Sequence, residues 1–222
     1  MAGSAASEPV PDAGQWLFRA ELSGEEGSAS LRLLLRRFDA ASFWLTATDA
    51  TGQARWELRQ ESSTAFWLDR PGQRFCRLDP EGPLRARLAV PAIRIADLPG
   101  LLLGEWPSAA LVSGEEAAAA TGARPFTAQA STPAEAGRGV WESWTLWQAG
   151  EPAAWFRRFA DDSLLSARRP AVQLRWRLSA SGALRPPTEG GAAAAGSPLL
   201  GPAGAEWPRG MQEMDCPDNE IP

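Results

Sequence analysis

Residues 172–178 alternate without a break, with apolar Val172, Leu174, Trp176 and Leu178 set between polar Gln173, Arg175 and Arg177. Successive side chains of a strand point to opposite faces, so this two-residue period describes a β-strand with one buried side and one wet side. The same period recurs from the start of the chain. Trp16, Phe18, Ala20 and Leu22 alternate with Leu17, Arg19 and Glu21, and Leu31, Leu33 and Leu35 with Arg32, Leu34 and Arg36. Phe43 and Leu45 face away from Trp44 and Thr46, and Trp56 and Leu58 alternate with Arg55, Glu57 and Arg59. Phe66 and Leu68 continue the series, and Phe75 to Leu78 gives one more short strand. Turn residues separate these runs at Ser23 to Gly27, Asp49 to Gln53 and Asp69 to Gly72, where Pro71-Gly72 favours a type II turn. Five or six short strands joined this tightly predict an antiparallel meander.

The period changes between about 92 and 121. Asp97 is placed to cap a short helix, Pro99 is tolerated in its first turn, and Leu98, Leu101, Leu102 and Leu103 supply apolar side chains. Gly104 and Pro107 stop it, and Ser113 to Glu116 has the spacing of a second cap ahead of Ala117 to Ala120. Strands resume with Val140, Trp144 and Leu146 set against Trp141 and Trp147, then Trp155 to Phe159 and the 172–178 strand. Residues 1–13 read as a flexible lead. Residues 14–187 read as one mainly antiparallel β domain, and 188–222, rich in Gly, Ala and Pro with scattered acids, as a disordered tail.

Residue usage narrows the chemistry. The chain has no His, Lys or Tyr, and all 22 of its basic residues are Arg. Serine–histidine and cysteine–histidine machinery, imidazole metal ligands and lysine Schiff bases are therefore excluded. Asp161-Asp162 lies in a turn, where adjacent acids are ordinarily solvated, and Asp215, Asp218 and Glu220 lack the spacing of a calcium loop. No catalytic residue, metal or cofactor is expected. No extended Arg-rich stripe interleaved with flat aromatics runs along any segment, and the net charge is -5, so nucleic acid is not expected as a partner. Met1 to Gly14 has neither the basic start nor the apolar run of a signal peptide. Cys76 is expected as a buried free thiol, a Cys76–Cys216 disulfide being the alternative.

Large apolar groups occupy both faces of several strands: Phe43 and Leu45 against Trp44, Phe66 and Leu68 against Trp67, Trp144 against Trp141 and Trp147. The second set requires a cover. A helical insert, a second sheet, a bound ligand or a partner would each supply one, and a filled, closed core is the plain alternative.

An N-terminal meander, the segment Leu98-Pro99-Gly100-Leu101-Leu102-Leu103-Gly104-Glu105-Trp106-Pro107 and further strands with a Gly-Glu-Pro hairpin resemble the LolA/LolB-like lipoprotein carriers of the bacterial envelope. The resemblance spans roughly residues 14–187. It implies a curved antiparallel sheet, an incomplete barrel, with a short helical lid inserted mid-chain. It also implies non-catalytic binding of a lipid or lipoprotein acyl chain, in the periplasm or cell envelope, by a monomer that makes transient membrane-surface or envelope-protein contacts. Leu98, Leu101, Leu102 and Trp106 would then form the inner face of the lid. Leu33, Phe43, Leu45, Trp56, Leu58, Phe66, Leu68, Trp144, Phe156 and Trp176 would form the apolar floor, with a one-residue uncertainty in face. Two departures stand out: there is no lipobox cysteine, and the Asp49 to Gln53 hairpin carries no protruding apolar residue. The alternative is a structural or protein-interaction module with a closed, filled core.

Overall fold

The computed structural model describes residues 13–24, 27–80, 94–104, 126–130, 140–148, 151–168, 171–184, 211–214 and 216. The strands are β1 (Gly14–Gly24), β2 (Gly27–Arg37), β3 (Ser42–Thr48), β4 (Ala54–Glu61), β5 (Thr64–Asp69) and β6 (Arg74–Leu78). A 3-10 turn (Ile95–Asp97) runs directly into the helix α1 (Leu98–Leu103). Then follow β7 (Phe126–Ala130), β8 (Val140–Gln148), β9 (Glu151–Phe159), β10 (Ser163–Ala167), β11 (Val172–Gly182) and β12 (Gln212–Glu213). The expected second helix at Ser113 to Ala120 lies outside the described residues.

Among the described residues, the twelve strands join one open sheet in the order β12-β6-β5-β4-β3-β2-β1-β11-β10-β9-β8-β7. It is two meanders fused at their long strands, because β1 pairs antiparallel with both β2 and β11. Register makes one face continuous. Trp16 lies opposite Leu35, Leu35 opposite Leu45, and Leu45 opposite Leu58. One step along, Phe18, Leu33, Ala47 and Trp56 form a second cross-strand row. On the other side Leu22 meets Leu174, Leu174 meets Leu165, and Leu165 meets Phe156. Register shifts at Leu17/Phe18, Ala47/Thr48, Val140/Glu142 and Leu146/Trp147 add the local bend and twist that curl such a sheet around its apolar side.

The aromatic groups on the outer face are covered by arginine. Across β2 to β6, Arg36, Trp44, Arg59, Phe66 and Arg77 stand opposite one another in a ladder. The Arg59 guanidinium lies 4.3 Å from the Trp44 ring centroid, and Phe38 meets the same ring edge-on at 5.6 Å. Glu57 fixes Arg59 at 2.8 Å. The Arg59 guanidinium, largely buried and neutralised by Glu57, thus covers the Trp44 ring as a cation–π partner. In this half of the sheet, no second sheet or ligand is required to cover Trp44.

Three local expectations are corrected. Pro71-Gly72 does not make the expected type II turn: the left-handed residue is Gln73 (φ 51°). Gly72 is required instead for space, since a Cβ there would run into the Asp69 carboxylate. Asp97 sits at the N-cap of α1, but its side chain does not cap the helix; Arg94 claims it. The cysteines are paired: Cys76 and Cys216 form a disulfide, with Cα atoms 5.2 Å apart and 140 residues between them in sequence. Part of the segment expected to be disordered is therefore held. The Gln212 N–H donates to Gln73 O (3.0 Å), the Met214 N–H donates to Phe75 O (2.8 Å), and β12 runs parallel to β6 along the sheet edge.

Two outcomes are expected. Cys216→Ser, or reduction of the wild type, frees a very long loop and should cost about 2–5 kcal/mol in a denaturant titration. The second concerns the β3–β4 turn. There, Asp49 Oδ1 accepts from the Thr51 hydroxyl (2.6 Å), the Thr51 N–H (2.8 Å) and the Gln53 N–H (3.1 Å), beside the Arg55 guanidinium at 2.7 Å. Chiefly through the Thr51 hydroxyl, these contacts hold its carboxyl below the ordinary 3.8. A depressed folded-state pKa stabilises the fold above the unfolded value, and that gain disappears as pH falls through the folded one. Asp49→Ala should therefore lower stability at neutral pH and flatten the acid limb of the stability–pH curve below about pH 4, as read by urea titrations.

Candidate functional site

The helical unit Ile95–Leu103 sits on the apolar side of the sheet. Ile95, Leu98, Leu101 and Leu102 are buried in the same cluster as Trp16, Phe18 and Leu33. Leu98, Leu101 and Leu102 occupy i, i+3 and i+4, so they share one helix face, and that face meets the floor. Pro99 falls in the first turn, where its missing N–H costs no intrahelical bond. Gly104 ends the helix in the left-handed region (φ 80°), and its N–H closes on Leu101 O at 3.2 Å.

Polar anchors tie this unit down. The buried Trp176 indole N–H donates to Leu102 O at 3.1 Å, satisfying one of the carbonyls a helix C-terminus leaves open. The Arg158 guanidinium donates to Gly104 O, and a Cβ at Gly104 would collide with that guanidinium. At the other end Arg94 forks onto Asp97 with bonds of 2.7 and 2.8 Å, and the Ala96 N–H reaches Pro80 O at 3.1 Å. Anchors of this kind hold backbone atoms and the buried Asp97 carboxylate; the leucine side chains beneath them are held by packing.

The floor contains most of the expected residues. Leu33, Phe43, Leu45, Trp56 and Leu58 face inward and are buried, as are Phe156 and Trp176, whose rings lie 6.1 Å apart. Trp144 packs on the same cluster partly buried. Phe66 and Leu68 do not belong there. Ala65 and Trp67 are the β5 members of the inner cluster, so Phe66 and Leu68 fall on the outer face by the one-residue register difference. Trp106 lies outside the described residues. The floor also includes side chains that the expected set leaves out: Trp16, Phe18, Leu35, Trp67, Leu165 and Leu174. Trp67 stacks on Trp56 at 4.7 Å. Their signal was present as alternation, and for β5 only the facing strands decide the phase.

Two features break the uniformity of the floor. Gln60, 5% exposed, stands between Phe43 and Ala65, and its Oε1 has no hydrogen bond among the described residues. Leu178, opposite Phe18, is 54% exposed and brings the apolar face out to solvent. The Asp161-Asp162 turn supplies no poised acid pair: Asp162 lies 3.4 Å from Arg175. Among the described residues no three His, Cys, Asp or Glu side chains gather as a metal site would require.

Trp176→Phe keeps an aromatic ring, though a smaller one, and leaves Leu102 O without its donor, so it should cost about 1–3 kcal/mol or more by denaturant titration. Gly104→Ala should cost roughly 1 kcal/mol or more, because it combines backbone strain with displacement of Arg158. Equal stability of both variants and the wild type would contradict the anchoring described here.

No family model and no curated protein matches this chain. Among solved structures it is similar to a LolA superfamily protein from Nitrosomonas europaea at 7% identity and a TM-score of 0.39, over 79% of this chain and 88% of that one. It is also similar to a domain from Vibrio parahaemolyticus described as an outer membrane lipoprotein-sorting protein, at 7% identity and a TM-score of 0.34, over 77% of this chain and 84% of that one. No residue role is carried over from either.

Proposed function

We propose that the inner face of the sheet is the binding surface of a non-catalytic carrier or chaperone for a lipid or lipoprotein acyl chain, with the Ile95–Gly104 unit as its lid. The observation that carries this reading is the form of the closure. An open apolar sheet is capped by a one-and-a-half-turn helix whose polar anchors include two hydrogen bonds to helix-end carbonyls, the Ala96 N–H bond to Pro80 O and the fork of a partly exposed Arg94 onto a buried Asp97.

Magnitudes favour exchange of lid for cargo. A chain of about 12–16 methylenes gains roughly 10–13 kcal/mol on burial at about 0.8 per methylene. Uncovering Ile95, Leu98, Leu101 and Leu102 costs roughly 6–12 kcal/mol at about 1.5–3 per side chain. The two terms are of the same order, so an acyl chain can take the helix's place and still leave again. Leu178 gives the floor an apolar margin in solvent where a chain could enter. Gln60 offers one polar point within the floor.

Surroundings agree with this use. The Cys76–Cys216 disulfide belongs to an oxidising compartment, which supports a periplasmic or envelope location. Residues 14–187 are the proposed carrier unit, with β12 and Cys216 as an outer strap. A chain without His or Lys, whose Asp162 is engaged by Arg175, fits a role that moves no bonds. A lipidated protein or free lipid is the partner this surface suits, met as a monomer at an envelope protein or membrane surface.

One observation favours the second reading, an interaction module with a filled core. Leu35, Leu58, Ala65 and Phe156 are all 0% exposed, so the inner face is already well covered. Native mass spectrometry of protein purified without detergent, followed by organic extraction, separates the two. A stoichiometric lipid adduct, or uptake of added fatty acid or lipopeptide at one per chain, is the expected result. A bare protein that ignores both would move the assignment to the interaction module.

A further inference from the structure

The outer face of the central strands carries a second, different surface. Arg19 on β1 lies directly opposite Arg177 on β11 and Arg32 on β2, so three arginines stand side by side across three adjacent strands. Like charges placed directly opposite destabilise a sheet. Among the described residues none of the three forms an ion pair, although Arg55, Arg59, Arg70, Arg74 and Arg77 on neighbouring elements all do. All three are exposed. One step along, Arg175 lies opposite Glu21 and is shared with Asp162 and the Phe159 ring. Together they line an open groove of about 520 Å³ between the tips of the β3–β4 and β9–β10 turns, marked by Ala50 and Asp162.

We propose that this groove docks the protein onto an anionic membrane surface by binding lipid phosphates. Four guanidinium groups face two carboxylates there, in a chain whose overall charge is -5, so the patch is a local reversal of sign that would orient the molecule. Guanidinium forks match phosphate oxygens in pairs. Each arginine is solvated, so a single free phosphate would be held weakly, and only a surface that presents phosphates as an array lets the contacts add. Nucleic acid also presents an array, but Trp176 belongs to the inner face and the Phe159 ring beside the groove already faces Arg175, so neither offers a free stacking platform. This surface is independent of what the inner face holds.

The test is vesicle flotation with the full-length protein, comparing liposomes of phosphatidylcholine alone with liposomes containing phosphatidylglycerol. Wild type should float with the anionic vesicles only, and raising salt from about 0.1 to 0.5 M should release it. The triple variant Arg19→Gln, Arg32→Gln, Arg177→Gln should lose binding at least tenfold, and Arg177→Gln alone should lose part of it. Because these substitutions relieve like-charge crowding, thermal melts should show the variants as stable as wild type or more so. Equal flotation on neutral vesicles, undiminished binding by the triple variant, or equally tight binding to duplex DNA at matched phosphate concentration would overturn the proposal. Fatty-acid uptake by the triple variant should be unchanged, which keeps this result separate from the carrier reading.

Discussion

The pairing of β1 with β11 is the contact on which the rest of the molecule depends. Without it the chain would be two unconnected meanders, each with an apolar face too large to leave in water. With it, Phe18, Ala20 and Leu22 sit between Leu33, Leu31 and Ala29 of β2 and Leu178, Trp176 and Leu174 of β11, and the two faces become one. Sequence separation makes this a costly contact to form, since loops must close over most of the chain before it is rewarded. Eleven-residue strands on both sides of the seam supply enough ladder and burial to hold it.

The seam also sets the division of labour between the two surfaces. Its inner side provides Trp176, whose ring lines the floor and whose N–H holds the helix. Its outer side provides Arg19 and Arg177, one residue away in each strand. Strand alternation therefore puts an apolar surface and an arginine groove back to back on the same backbone. A residue slipped by one position would exchange the two, which is why the extra residue Ser179 in β11, opposite Leu17/Phe18, matters: on one side of it Phe18 faces Leu178, and on the other Trp16 faces Ser181.

Much of this was legible in the chain. Alternation at 16–22, 31–35 and 172–178 located strands and their buried sides, and Pro99 with Gly104 bounded the helix from local chemistry alone. Where both faces of a strand are apolar, alternation has no phase. Hence Phe66 and Leu68 looked like floor, and only Leu58 and Cys76 on the flanking strands show that Trp67 is the inward residue. The disulfide was not legible, because its partners lie 140 residues apart and neither is marked by local context. The arginine row was equally hidden: Arg19, Arg32 and Arg177 occur in separate segments, and only register brings them together.

The central claim is that the helix is a replaceable cover on a floor that stays folded without it. Hydrogen exchange resolved by residue, with and without a long-chain fatty acid, tests that most directly. Amides from Leu101 to Gly104 should exchange faster once the acyl chain is bound, while β1, β2 and β11 keep or gain protection. If the helix and those strands exchange at one common rate, unchanged by the lipid, the helix is an integral part of a filled core and the carrier reading is wrong.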